Sequence, residues 1–406
     1  MSKLLLINVA LNTGSTGKIV EGIGSLAVSN GWDVEVVHGA RYKNRSNLKS
    51  LQISTRFGEY CHYLESSIFD AQGLGSRIET MRFLKYLDVI KPDIVHIHNI
   101  HGCFLNYPLL FKYLSNHKIP VVWTLHDCWA MTGHCVHFER TKCDRWKSLC
   151  EKCPQKRDFP TSYLFDSSKR NFKLKKSLLS RMDNVHITTV SEWLANRAKE
   201  SYLKDLPIHV ISNGIQTSIF KRTPSDIIEQ LNISGRKILL GVASGFGERK
   251  GLYDYCKLSE KLAENYQLIL VGVSDDDKKY LPSNIIAIPR TNSQLDLVKL
   301  YSAAEVLLSL SYEETFGLTI IEAMSCGTPA IVYDNTAQPE LITSNTGAVV
   351  SNGDIDALVT SIDEICSIGK SRYSDNCRSF AEKYNQTKIY RDYLDLYTSI
   401  LSKNLK

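Results

Sequence analysis

The sequence predicts an α/β protein built from two domains in tandem, each a parallel sheet flanked by helices. Three observations carry this expectation. Short apolar runs alternate with amphipathic stretches, the pattern of parallel strands covered by helices. The alternation starts afresh from Lys237, after an Asn213-Gly214 turn. Finally, 406 residues with 43% hydrophobic content are enough to bury two separate cores.

Taken in order, the first half reads as strands over residues 4–9, 34–37, 94–97 and 121–125, with a helix after Gly17, then short strands over 187–190 and 209–211. The second half gives strands over 238–242, 268–271, 285–288, 306–310 and 330–333. Helices are expected from Gly251, after Ser293 and over 320–324, and the tail from Asp354 reads as three helices with aromatic residues on their apolar faces. The expected division is 1–206 for an N-terminal domain, 207–385 for a C-terminal domain and 386–406 for a closing helix.

Charge and cysteine usage narrow the class. Lys plus Arg exceed Asp plus Glu by 49 to 43, a formal charge of +6, which favours a phosphate-bearing ligand or an anionic lipid surface; no nucleic-acid partner is expected. No apolar run reaches 18 residues, and the start lacks the apolar core of a signal peptide, so a cytoplasmic protein is expected. Eleven cysteines in so long a chain suit reduced thiols or a metal better than a disulfide scaffold.

The most informative segment is SYEETFGLTIIEAMSCGTP, residues 311–329, which follows a strand and opens a helix. Glu314 in the loop and Glu322 in the helix could face one cleft, and the first N–H groups of a helix bind phosphate. This segment resembles glycosyltransferase family 4. The resemblance implies that Glu314 holds hydroxyls of a donor sugar, that Glu322 holds the ribose of its nucleotide, and that Phe316, Gly317 and Leu318 place backbone amides beside the diphosphate. Ordinary surface glutamates are the bland alternative.

After the first strand of the second domain comes ASGFGERKG, residues 243–251, a cationic loop at a strand end where an anion would meet it. Arg249 and Lys250 are the candidate diphosphate clamps. The family commonly carries an arginine several positions before the lysine, where this chain has Gly245. Further along, Thr336-Ala337-Gln338 replaces a small glycine pair before Pro339, a departure that bears on donor selectivity.

In the first domain, Gly14-Ser15-Thr16-Gly17-Lys18 follows the first strand and is neither a P-loop nor GxGxxG. By resemblance Gly17 lies near donor phosphates; a simple tight turn competes with that reading. His126 and Asp127 end a strand, where open sheets place ligands. The resemblance puts His126 beside the donor sugar with Asp127 in support, against the alternative of a buried structural histidine and a helix cap. His96, His98 and His101 end a neighbouring strand and rank below them.

Residues 128–153 form an insertion dense in soft ligands. Cys135, Cys143, Cys150 and Cys153 are the simplest tetrahedral zinc set, and free thiols packing the loop are the alternative. Between Ser168 and Arg181 six basic residues interleave with apolar ones; this reads as a helix with a solvated face, or as a membrane-surface helix. Stretches from Val190 and from Val210 extend the family resemblance across both domains.

The resemblance implies a GT-B fold, two Rossmann-like domains facing across a cleft with the last helix crossing back. It also implies metal-independent, retaining transfer of a sugar from a UDP- or GDP-sugar to a glycan or lipid-linked acceptor, in capsule or lipopolysaccharide assembly, with peripheral membrane contact. No catalytic cofactor is expected. The competing readings are a sugar-nucleotide epimerase or phosphorylase, and a degenerate transferase serving as a zinc interaction module.

Overall fold

A computed structural model describes residues 1–291 and 293–404. The chain divides into two compact units: Met1–Ser212 together with the segment from Ile389 onward, and Asn213–Lys388. The expected break at 206/207 left Ile208–Val210 in the second domain. In the structure this strand is the edge of the first unit's sheet.

The first sheet has seven parallel strands in the order Lys49–Gln52, Asp33–His38, Lys3–Ile7, Ile94–Ile97, Val121–Leu125, Val185–Thr189, Ile208–Val210. Its central strands are covered on both faces, and Leu4, Leu5, Leu6 and Ile7 are all fully buried, as a continuous apolar run in a parallel sheet requires. The chain winds outward from Lys3–Ile7 to one edge, then returns to start again at Ile94–Ile97. The direction reverses between those two strands, and the crevice beyond their carboxyl ends is where this topology places ligands.

The second unit repeats the plan with six parallel strands: Ile285–Ile288, Tyr266–Val271, Lys237–Val242, Val306–Ser309, Ala330–Tyr333, Gly347–Val350. Here the reversal falls between Lys237–Val242 and Val306–Ser309. The loops leaving these two strands are residues 243–251 and 310–317, the two segments the sequence singled out. The helix Gln294–Ala303, which leads back to the second of them, opens on a capping box in which Ser293 and Asp296 bond each other's backbone N–H.

The final helix, Gln386–Asn404, contributes from Ile389 onward to the first unit. Its aromatic face is the reason. Tyr397 OH meets His96 Nδ1 at 2.6 Å, Tyr393 OH bonds Thr124 Oγ1 at 3.2 Å, and the Tyr397 ring packs edge-on against Trp32. Tyr390 lies against Gly22; a Cβ there would stand 2.4 Å from the ring, so only glycine admits the contact. Among the described residues no helix is long and apolar enough to cross a membrane.

Candidate active site

In the second unit the two loops at the reversal point interlock. Tyr312 N–H donates to Arg249 O at 2.9 Å, and Arg249 Nη1 donates to Glu313 O at 3.1 Å. Gly251 makes the approach possible: its φ is +70°, and a Cβ would fall 2.1 Å from Leu310 O. The loop geometry brings Lys250 Nζ to 2.5 Å from Glu314 Oε2, with side chains 17% and 23% exposed. Burial alone would raise the Glu314 pKa, but Lys250, by charge and hydrogen bond, draws it below the usual range. The Glu314 carboxylate is therefore ionised at neutral pH, and the contact is only partly buried.

Glu314 is held from three further sides. Its second carboxylate oxygen accepts the Phe316 N–H at 3.4 Å, its own N–H donates to Thr336 Oγ1 at 3.0 Å, and its carbonyl accepts from Ala337 N–H at 3.1 Å. Three residues after Glu314, Gly317 is the N-cap of the helix Leu318–Ser325 with φ +109°. Ile320 N–H donates to Gly317 O at 3.0 Å, and the N–H groups of Leu318 and Thr319, ahead of it, have no i−4 acceptor within the helix. Glu322, in the second turn, accepts from Tyr301 OH at 3.0 Å.

The segment that departs from the family pattern turns out to be structural support for this loop, which the sequence reading missed. Gln338 is fully buried; it accepts from Ser309 Oγ at 2.6 Å and donates to Ser311 O at 2.7 Å. Thr336 takes a left-handed backbone with φ +55° and still places its hydroxyl on the Glu314 N–H. The only sequence signal was the departure itself. At Gly245, where the family carries arginine, no atom lies within 4 Å of the Cβ position.

The first unit presents imidazoles. His126, at the end of Val121–Leu125, bonds His98 Nδ1 through Nε2 at 3.0 Å with the rings stacked. Asp127 does not turn to His126: Oδ2 meets His101 Nε2 at 2.8 Å and Oδ1 accepts the Trp129 N–H at 2.8 Å. Burial pushes His126 down to about 4, opposed by Asp127 and aided by His101, and it holds His96 and His98 well below their ordinary value. Asp127, which burial would raise, is instead drawn down to about 2 by His101 and the Trp129 amide. At neutral pH His126 is thus an uncharged hydrogen-bonding group. A small hollow is lined by His98, His101, Thr124, His126, Asp127 and Trp129, and His98 Nε2 and His101 Nδ1 are buried there without a hydrogen-bond partner. His98 and His101, ranked low from sequence, therefore belong with His126.

Gly17 lies in the first turn of the helix Gly14–Ser29, and its missing side chain lets that turn pack on the backbone of Ala10 and Asn12. Cys135, Cys143, Cys150 and Cys153 line one small void in the loop that follows His126. The basic stretch forms the helix Ser168–Leu179, but not all its cations face solvent: Lys175 is 2% exposed, and its Nζ donates to Trp129 O at 2.7 Å and Thr132 O at 3.0 Å over the Trp129 ring. Burial lowers it to about 7.

Two Rossmann-like units, with a Lys–Glu pair and a helix N-terminus at the reversal point of the second, are the plan of a glycosyltransferase of the GT-B class. The chain belongs to glycosyltransferase family 4: the model described as "Glycosyltransferase Family 4" matches residues 23–219, and that described as "Glycosyl transferases group 1" matches residues 225–384. It is similar to WcaC of Escherichia coli K12, a glycosyl transferase ascribed to colanic acid biosynthesis, at 23% identity over 76% of this chain and 77% of the relative. Among solved structures, sucrose-phosphate synthase from Thermosynechococcus elongatus superposes with a TM-score of 0.72 at 18% identity, covering 99% of this chain and all of that one. HepE of Anabaena, solved with UDP and glucose, gives 0.71 at 15% identity over 98% of this chain and all of that one. The epimerase or phosphorylase reading is not favoured by these likenesses.

Proposed function

We propose that the enzyme transfers a sugar, with retention at the anomeric carbon, from a nucleoside diphosphate sugar to a hydroxyl of a glycan or lipid-linked acceptor in surface polysaccharide assembly. The observation that carries this reading is the Lys250–Glu314 pair, set between a cationic loop and a helix N-terminus. Lys250, Arg249 and the amides of Phe316, Gly317 and Leu318 meet the diphosphate, so its departure needs no divalent ion. When sugar is bound, Glu314 exchanges part of its contact with Lys250 for the sugar hydroxyls, and Glu322 takes the ribose.

In the reaction the bond between the anomeric carbon and the diphosphate oxygen breaks, the acceptor oxygen bonds to that carbon on the same face, and the acceptor's proton passes to the leaving phosphate. Neutral His126, fixed by His98, orients the sugar by hydrogen bonding rather than by proton delivery. The role ascribed to WcaC in colanic acid biosynthesis and the HepE complexes with UDP and UDP-glucose support this reading. The exposed aromatic side chains of the helix Arg56–Phe69, among them Phe57, Tyr60 and Tyr63, suit peripheral contact with the inner membrane face, where a lipid-linked acceptor resides.

The test is incubation with UDP- and GDP-sugars plus lipid-linked acceptor in EDTA, with the product's anomeric coupling read by NMR. Turnover to an anomer matching the donor supports the reading; an inverted product, or activity that EDTA abolishes, removes it.

A further inference from the structure

The loop between Cys128 and Cys153 has almost no regular structure of its own: among its described residues there are two three-residue 3-10 turns, Trp129–Met131 and Arg145–Lys147. It is nonetheless tightly folded, with Trp146 at 1% exposure and stacked on Phe138 at 4.5 Å. At its centre lies the void lined by Cys135, Cys143, Cys150 and Cys153, with His134 and Trp146 beside them. Four thiols from one short loop, including a Cys150-x-x-Cys153 pair, are the ligand number and type of a structural zinc site.

One further observation points to an occupant. His134 is 2% exposed; its Nδ1 is held by Asp70 Oδ1 at 2.6 Å, while its Nε2, at the same void, is buried without a hydrogen-bond partner. A carboxylate-oriented imidazole is a recurring feature of metal surroundings. Among the described residues no group of three or more His, Cys, Asp or Glu side chains is arranged to hold an ion as it stands; the thiols line the void and would close to about 2.3 Å from a shared centre.

We propose that Cys135, Cys143, Cys150 and Cys153 bind one zinc ion that staples this loop. Each thiol gives its proton to solvent as its sulfur–zinc bond forms, and no electron moves. Tetrahedral thiolate donors select zinc over hard cations. The consequence reaches the candidate site: the loop leaves directly from His126 and Asp127, Trp129 N–H bonds Asp127, and Lys175 holds the Trp129 carbonyl. The zinc is a positioning element, and no step of sugar transfer runs through it.

The experiment uses the full chain expressed with added zinc. Expected are about one zinc ion per chain by elemental analysis, four further thiols open to a thiol reagent after chelation, and intense thiolate–cobalt absorption when cobalt replaces zinc. Cys150→Ser and Cys153→Ser should lower zinc content at least about tenfold, whereas Cys256→Ser in the second unit should not. Nucleotide binding by the second unit should survive in the folded Ser variants, which separates this proposal from the transferase reading. A wild type with no zinc after reloading, an unchanged thiol count on chelation, or Ser variants that retain full zinc would overturn it; the first two need no variant to fold.

Discussion

The two units share one plan and differ in chemistry. Both wind a parallel sheet outward from a central strand, reverse, and put their functional loops at the reversal point. Yet all eleven histidines fall between His38 and His209, within the first unit, while the second unit has none and relies on the Lys250–Glu314 ion pair. The sheet decides where a ligand can sit, and the loops decide what it meets. A cationic loop with fixed amides suits a diphosphate; a cluster of neutral imidazoles suits hydroxyl groups of sugar and acceptor. Donor and acceptor functions should therefore separate under mutation.

The largest effect is expected from Lys250→Ala. Removing a cation aimed at the leaving diphosphate should lower kcat by about 10²- to 10³-fold in steady-state assays with saturating donor. A loss under tenfold would take Lys250 out of the transition state. Next comes Glu322→Ala. Charged hydrogen bonds of about 1.5–3 kcal/mol each place the loss of nucleotide affinity at roughly tenfold to more than a hundredfold, read by calorimetry. His126→Ala, in the other unit, should leave affinity for the bare nucleotide unchanged while depressing turnover.

Mild acid should act on the first unit before the second, because depressed histidines respond below pH 6.5 whereas the depressed Glu314 responds only below the ordinary carboxylate range. His62, His126 and His186 are pushed down to about 4, mainly by burial. A histidine depressed below its unfolded value of about 6.5 binds a proton in the unfolded chain first, so its share of stability is present above pH 6.5 and lost as pH falls toward 4. His134, which burial would lower but Asp70 raises, runs the other way: its contribution is full below about pH 6.5 and is lost at higher pH as its folded value is passed. Below pH 6.5 the His134 contribution stays constant, so the depressed histidines, His96 and His98 among them, set the trend. Hydrogen exchange between pH 6.5 and 4 should show protection falling in residues 1–212 before 213–388; simultaneous loss would contradict this division.

The smallest change is expected from Thr336→Gly. It relieves a left-handed backbone cost of about 1–2 kcal/mol but removes a hydrogen bond of about 1 kcal/mol to the Glu314 amide. Melting temperature should scarcely move, while donor KM rises a few-fold. A large destabilisation would show that the hydroxyl anchors the whole loop.

Legibility followed the same divide. Nearly every strand could be read from its apolar run, because a parallel sheet buries both faces; Leu239, Leu240, Leu307 and Ile331 leave no ambiguity. Lys250 and Glu314 were each legible because they lie in contiguous, distinctive segments; that the two pair with each other was not. The imidazole cluster was not, since His98, His101 and His126 meet only when adjacent parallel strands align, and sequence order says nothing about which histidine Asp127 will choose. Lys175 misled for a different reason. In a run of basic residues, periodicity marks the apolar face but cannot reveal that one lysine bends inward to two carbonyls.

Calorimetric titration of UDP and GDP into wild type, Glu322→Ala and His126→Ala tests the separation of donor and acceptor functions most directly. The account expects one of the two nucleotides to bind wild type and His126→Ala alike, and to bind Glu322→Ala at least about tenfold more weakly. Binding that survives in Glu322→Ala and disappears in His126→Ala would place the nucleotide in the first unit and contradict it.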